Sequence, residues 1–485
     1  MLESIESITF NGINLVDMFT DDQRGVYLVV NEVRGRGILG IQNTTLDVAS
    51  MNGVYISGTR TPVRYLEVDI TMKGESFEDL RKRIERLNEI LDTGDESVEI
   101  SFSDEPDRTY IGKLDGVNDR LENSKIYQAT ITILCADPFK YGPEKVVEPP
   151  SDTFNVENPG TAPAKPIFEL TVKEPATFAM VSDGERYNMI GQPADVETEV
   201  VDERILVMNE TGGTLDTWQT ASGSTGRFRG SDNGIFVDSY GSGTGWHGPR
   251  LIKEIDPLED FEIEFVVNAR TNRADQTFRI STNYYDEYNN ELGMLRLWDL
   301  SIHRNHKVVE ARVGPYVGQH VNYPISSRNY NIQDQLVWYG LIRVVREGNL
   351  YTFYVARIDQ RGRHVNTLTQ TFFDANNEFA GRLRYVRIDI AKYAGTETAT
   401  EVSIDRISVY KRNRVEEDQT PYIAYPGDIF TFDHLTNELL LNGEDVKSMK
   451  DFGGEYFDLP KGYTALTILP EGAFDTKVRF RPRYR

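Results

Sequence analysis

Between residues 65 and 72 the chain alternates, with Leu66, Val68, Ile70 and Met72 on one side and Tyr65, Glu67, Asp69 and Thr71 on the other. This is the period of two expected of a half-buried strand. After Lys73-Gly74 the period changes, and Phe77, Leu80, Ile84, Leu87 and Leu91 recur at spacings of three and four. Ser76 stands in the N-cap place, Asp79 at the third helical position and Gly94 just past the end, so the segment predicts a helix with an apolar stripe for core packing. Strand patterns return at 98–102, 108–114 and 126–134. Residues 1–148 therefore predict one helix on a mostly antiparallel sheet.

Pro149-Pro150 and the run NPGTAPAKP at 158–166 end that module, because proline removes amide donors and glycine favours turns. Two short strand patterns follow, at 167–172 and 178–181, with a turn at Ser182-Asp183-Gly184. The same kind of pattern resumes only after Thr420, at 422–425, 429–432, 438–441, 464–469 and 477–480, with turns at Pro426-Gly427, Asn442-Gly443 and Gly453-Gly454. Neither group has enough strands to bury a core alone. Residues 149–212 and 413–485 are thus read as two parts of one β-sandwich, interrupted by a module at 213–412.

The interrupting module has its own strand patterning. Phe261, Ile263, Phe265 and Val267 alternate with Glu262 and Glu264, and Val386, Ile388 and Ile390 with Tyr385, Arg387 and Asp389. A hairpin is clearest at LIRVVREGNLYTFYVAR, turning at Glu347-Gly348-Asn349. Evenly spaced strands, glycine turns and scarcely any helical periodicity predict a two-sheet jelly roll. The whole chain is expected to be mainly β.

A length of 485 residues suits three cores, and 39% hydrophobic with 27% charged residues is the composition of folded protein. The formal charge of −23, with no Lys/Arg-rich stripe, argues against nucleic-acid binding. Cys135 is the only cysteine, which excludes a disulfide within the chain and a Cys-rich zinc site. No basic leader precedes an apolar stretch, and no apolar run nears the roughly 20 residues that span a bilayer. The expectation is a product soluble in the cytosol when made, with no membrane partner.

The run MNGVYISGTRTPVRYLEVDITMKG, the single helix, the strand ending in ADPFKYG and then NPGTAPAKPIFELTV resemble, in that order, the distal tail proteins of siphophages that infect Gram-positive hosts. Phe430-Thr431-Phe432-Asp433, Asn442-Gly443, Leu459-Pro460-Lys461-Gly462-Tyr463 and the ending RFRPRYR resemble the second half of that family's galectin-like C-terminal domain. The resemblance implies an N-terminal β-sandwich with one helix and a split galectin-like sandwich. It also implies a hexameric ring at the virion tail tip, between the tail tube protein and the tail-associated hub, and implies no catalysis or cofactor. The insert is similar to the concanavalin/laminin-G type of jelly roll found as inserted carbohydrate-binding modules in some distal tail proteins, through the strings EGNLYTFYVAR and VSIDRISVYK.

Saccharide binding needs aromatic faces for the apolar side of a pyranose and fixed polar groups for its hydroxyls. The galectin-like halves contain no tryptophan and one histidine, His434, so they are read as structural. All four tryptophans, Trp218, Trp246, Trp298 and Trp338, lie in the insert. Candidate contacts to host cell-wall polysaccharide are Trp246 in a glycine-rich loop, Tyr284, Tyr285, Asp286, Tyr288 and Asn289 in the run YYDEYNN, Trp298, and Tyr316 opening the loop 316–323. A tryptophan in a sandwich is more often core than ligand platform, and Asn289 and Asn290 also suit a turn cap. The insert then reads alternatively as a spacer or a docking surface, and a cell-wall glycoside hydrolase is a third reading. Asp286, Glu287 and Glu291 give no catalytic pair, because neighbours on a strand face opposite ways. His303 and His306 lack a third ligand, and Asp232, Asn233 and Asp238 lack the spacing of a calcium loop, so no metal is assigned. The basic terminal run Arg479, Arg481, Arg483 and Arg485 is expected to form salt bridges within an acidic protein.

Overall fold

The computed structural model describes residues 7–49, 51–123, 125–194, 199–299, 301–316, 322–333, 335–416 and 419–485. Strands dominate, as expected. The N-terminal sheet runs Ile13–Asn14, Ile8–Phe10, Val98–Phe102, Thr109–Asn123, Ile126–Cys135, Arg64–Lys73, Tyr27–Arg34. The predicted helix is Phe77–Leu91, and the Ser76 side chain accepts the Asp79 amide at 3.1 Å. It buries Leu80, Leu87, Ile90 and Leu91, whereas Phe77, counted in the predicted stripe, is half exposed beneath the Arg81 guanidinium. A second, five-residue helix, Leu15–Phe19, was not apparent from periodicity because it spans barely more than one turn.

Apart from this sheet stands a hairpin, Gln42–Leu46 with Tyr55–Arg60. Leu46, Tyr55 and Ile56 on it and Ile41 beside it are each more than half exposed.

The split sandwich is interleaved. In its six-stranded sheet Ile167–Val172 lies between Phe474–Phe480 and Ile429–Asp433, so Phe168 faces Val478 on one side and Phe432 on the other. In the four-stranded sheet Gly462–Leu469 lies between Thr153–Asn158 and Phe178–Ser182. Phe168, Leu170, Phe430, Phe432, Leu466 and Ile468 are fully buried between the sheets. Asn442 and Gly443, at φ 51° and 83°, make the predicted tight turn. The expected strand at 422–425 is reduced to a single bridge, Ala424 to Ala176, and the preceding Gln419–Pro421 pairs with Glu199–Val201. His434 belongs to this core, 4.5 Å from the Phe457 ring, with its Nδ1 accepting the Phe457 amide at 3.0 Å.

The terminal arginines close the chain on itself. Arg483–Tyr484 pairs with Lys140–Tyr141 and so adds to the N-terminal sheet. Arg483 bonds Asp137 at 2.7 Å and lies over Phe139, while Arg481 bonds Glu99 and Arg479 bonds Glu169. Asp137 also accepts from the Tyr141 hydroxyl and the Phe139 amide, so the segment Asp137-Pro138-Phe139 is a structural junction.

In the insert, strand Arg204–Glu210 pairs with Glu401–Arg412, which carries the insert's sheet nine residues upstream of the expected start at 213. One sheet runs Arg227–Ser231, Gly234–Ser239, Glu401–Arg412, Phe261–Arg270, Val337–Glu347, Leu350–Ile358, His364–Phe373. The other runs Gln219–Thr220, Arg250–Leu258, Leu383–Ala391, Gln276–Asp286, Glu291–Asp299, His306–Val313, Asn322–Ile325. Between them lie Phe261, Phe265, Phe278, Trp338 and Phe353.

The outer face of the first sheet turns toward the split sandwich. Arg343 forms a two-pronged ion pair with Glu444, both bonds at 2.8 Å, and the His364 amide donates to Gly443 at 2.8 Å. Glu262 and Glu264, expected on a polar face, are buried here beneath Arg204, which bonds them at 2.7 and 2.8 Å.

Burial pushes the His434 imidazole down to about 4 from 6.5. The folded state holds the neutral ring, so stability from this group is complete above pH 6.5 and is lost as the pH falls toward 4, by about 3 kcal/mol at most. A His434→Gln variant should melt with a flatter pH dependence across that window than the parent protein. Parallel slopes in a calorimetric series would show that His434 does not carry the effect.

Candidate functional site

The second sheet's outer face lies on the opposite side of the insert from the split sandwich. Along Gln276–Asp286, Phe278, Ile280 and Tyr284 point into the core, so Arg279, Ser281, Asn283 and Tyr285 point outward. Register then sets their neighbours. Ser281 lies between Asp389 and Arg296, which in turn face Arg250 and Glu310. Asn283 lies between Arg387 and Met294, with Ile252 and Arg312 beyond, and Arg279 lies beside Trp298.

These side chains form two adjoining networks, one around Glu291, Asn283, Arg387 and Asp389 and one around Arg296. The Arg312 guanidinium and the Asn283 amide both donate to Glu291, at 2.6 and 2.5 Å. Arg387 donates to the Asn283 carbonyl at 2.9 Å, and Arg296 donates to Ser281 at 3.2 Å and Glu310 at 3.4 Å. Asp389 sits 3.6 Å from Arg387 and 3.8 Å from Arg279. Although they point out of the sandwich, Ser281, Asn283, Asp389 and Arg312 are all buried, because longer side chains and loops cover them.

Aromatic rings cap the guanidiniums. Arg279 lies 5.1 Å from the Trp246 ring centre, Arg296 5.7 Å from Trp298, Arg387 5.4 Å from Tyr285 and Arg312 5.8 Å from Tyr316. Trp246 reaches the face because its neighbour His247 pairs with Lys392 through two backbone hydrogen bonds, of 3.0 and 3.1 Å. The Trp246 and Trp298 ring centres are 6.3 Å apart, with Tyr393 5.6 Å from Trp246 on its edge.

Four of the sequence candidates, Trp246, Tyr285, Trp298 and Tyr316, thus meet on one face. Tyr288 and Asn289 sit at its edge, where with Ile252, Glu254 and Tyr385 they line a recess of about 500 Å³. Two candidates are placed elsewhere. Tyr284 is wholly enclosed in the core and has no surface to offer a ligand; Gly293 makes room for it, since a Cβ there would fall 2.2 Å from its hydroxyl. Asp286 holds a turn, accepting the Tyr288 and Asn290 amides at 2.9 and 2.7 Å and the Asn290 side chain at 2.8 Å, while Asn289 takes a positive φ of 66°. Of the loop 316–323, residues 317–321 lie outside the described residues.

The arginines are what sequence reasoning missed. Their signal was present in four strands of the sheet, each carrying an arginine between inward apolar residues: Phe278-Arg279-Ile280, Leu295-Arg296-Leu297, Ala311-Arg312-Val313 and Val386-Arg387-Ile388. Alternation aligns such positions on one face once the strands are known to be neighbours.

Residues 23–135 match the phage tail protein RIFT-related domain family, so the front of the chain is a phage tail-protein domain. Over 178 residues the chain is 34% identical to the distal tail protein of Bacillus phage SPP1, across 36% of this chain and 66% of that protein. The crystal structure of the SPP1 protein, described as a paradigm of the hub adsorption apparatus of phages infecting Gram-positive hosts, aligns at 31% identity over 39% of this chain and 75% of that one, with a TM-score of 0.34. The chain belongs to the siphophage distal tail protein family. The CBM2 module of the evolved distal tail protein of Lactobacillus casei BL23 phage J-1 aligns at 16% identity over 44% of this chain and all of that module, with a TM-score of 0.36.

The two displaced candidates give a direct check on the geometry. Tyr284→Phe deletes a buried hydroxyl with no partner and should leave the melting temperature unchanged or higher, whereas Asp286→Ala should cost about 2–3 kcal/mol through three lost hydrogen bonds. Denaturant titration of both variants measures this, and a strongly destabilised Tyr284→Phe would contradict the placement.

Proposed function

We propose that the chain builds a homo-oligomeric ring, hexameric as in the family expectation, at the virion tail tip between the tail tube and hub proteins. In this reading its insert binds host cell-wall saccharide during adsorption. The observation that carries the second half is the aromatic–polar face of the insert, turned away from the scaffold and bringing Trp246, Tyr285, Trp298 and Tyr316 together. Stacking surfaces beside fixed polar groups are what a sugar site needs. A ring presents several such faces together, and linked sites raise avidity by roughly 10²–10⁴ without better individual contacts.

The exposed hairpin supports the first half. A ring needs one patch to meet a different patch on the next copy, and a two-stranded ribbon with Leu46, Tyr55 and Ile56 in solvent offers an unfilled apolar surface for that purpose.

The protein should sediment with purified host cell walls, and Trp298→Ala or Tyr285→Ala should weaken this at least tenfold in variants that still unfold cooperatively. Failure of folded, oligomeric protein to bind walls would leave the insert a spacer or docking surface. For assembly, Leu46→Asp with Ile56→Asp should shift the sedimentation profile from the ring to smaller species; an unchanged profile would remove the hairpin from the interface.

A further inference from the structure

The chemistry of the insert's outer face is specific about charge. It gathers Arg250, Arg279, Arg296, Arg312 and Arg387 across five neighbouring strands, against the carboxylates of Asp389, Glu291 and Glu310, in a chain whose formal charge is −23. The carboxylates are already engaged. Glu291 receives Arg312 and Asn283, Glu310 receives Arg296, and Asp389 stands between Arg279 and Arg387.

What is left over is almost all donor. On the residues of these networks the enclosed atoms without a hydrogen-bond partner among the described residues are Nε of Arg279, Nε of Arg387, Nε and Nη1 of Arg312, and Nε1 of Trp298, against one acceptor, Oδ2 of Asp389. Arg312 is 3% exposed, so it lies beneath the face and adds positive charge there rather than a direct contact. Arg279, Arg296 and Arg387 keep 16, 20 and 24% of their side-chain surface and line the approach. Arg279 also bears the strain electrostatically: burial and the nearby Arg296, Arg250 and Arg387 bring its guanidinium down to about 10 despite Asp389.

A neutral glycan presents hydroxyls that both donate and accept, and sites for it offer both kinds of partner. A face whose free groups are donors on excess cations is matched instead by acceptor-only anionic oxygens, which guanidinium groups bind in two-pronged fashion.

We propose that this face takes an anionic polysaccharide, its phosphate or carboxylate groups seated among Arg279, Arg296 and Arg387 while Trp246, Trp298 and Tyr285 carry the apolar faces of the repeat. The inference rests on the wall-saccharide reading above and deepens it.

The test uses the full-length protein and three soluble probes of equal length: a glycerol-phosphate oligomer, an oligogalacturonate and a neutral maltooligosaccharide. Calorimetric titration should give saturable binding to one or both anionic probes and none to the neutral one, weakening as salt rises from 50 to 500 mM. Arg279→Gln with Arg387→Gln should cost at least tenfold in affinity in protein that still folds cooperatively, with a lowered melting temperature because buried Asp389 loses both cations, while Arg227→Gln on the other sheet should have no effect. Preference between the phosphate and carboxylate probes identifies the source of the anion. Wall sedimentation run alongside separates the two ideas. Walls bound equally well by the double-arginine variant, or binding of the neutral probe alone, would overturn the anionic assignment while keeping the saccharide site; no binding to walls or to any probe would overturn both.

Discussion

The interleaving of Ile167–Val172 between Ile429–Asp433 and Phe474–Phe480 constrains the rest of the molecule. One strand from the first part of the chain carries hydrogen bonds on both edges to strands that follow more than 250 residues later, so the sandwich core cannot close until the chain's end has been made. The intervening residues 204–412 have a large core of their own. The terminal arginines extend the constraint, since Arg483 reaches Asp137 in the N-terminal module and Arg479 reaches Glu169 in the sandwich. A single short tail joins two cores.

The insert's two outer faces have opposite fates for an electrostatic reason. On the scaffold side, Arg204 meets Glu262 and Glu264, and Arg343 meets Glu444, so each buried charge faces an opposite charge. On the far side, arginines outnumber carboxylates and rings stack on the guanidiniums. Cation–ring contact supplies part of what a missing carboxylate would have given, and it leaves guanidinium edges with donors in hand. The same residue type thus fastens the module on one side and gives the other its proposed recognition chemistry.

Much of this was legible before any coordinates. The alternation at 65–72 became Arg64–Lys73, the period of three and four became Phe77–Leu91, and the two separated strand groups became one sandwich, because each depends on local periodicity or turn chemistry. The strand expected at 422–425 is replaced by divided pairing that is not local: Gln419–Pro421 pairs with Glu199–Val201, the Tyr422 amide donates to Val201, and the Ile423 and Ala424 amides both donate to Ala176. In the run YYDEYNN the alternation fixes that Tyr284 and Tyr285 face opposite ways, yet only the packed sheet says which faces in. Asp286 looked like a ligand group and is a turn brace, for the same ionised oxygens serve either use. Aromatic residues drew attention to the face, while the arginines beneath them, repeated as apolar–Arg–apolar triplets, read individually as ordinary exposed positions.

The manner in which the insert joins its host has a further meaning. Its inbound strand Glu199–Val201 and outbound strand Gln419–Pro421 lie side by side, and the first and last strands of the module, Arg204–Glu210 and Glu401–Arg412, are themselves paired. The sandwich meets the module at this seam and at a few contacts such as Arg343 with Glu444. In evolutionary terms this makes the region a cassette. Another body with adjacent ends would have to match only that seam and those few contacts to take its place without rebuilding the sandwich.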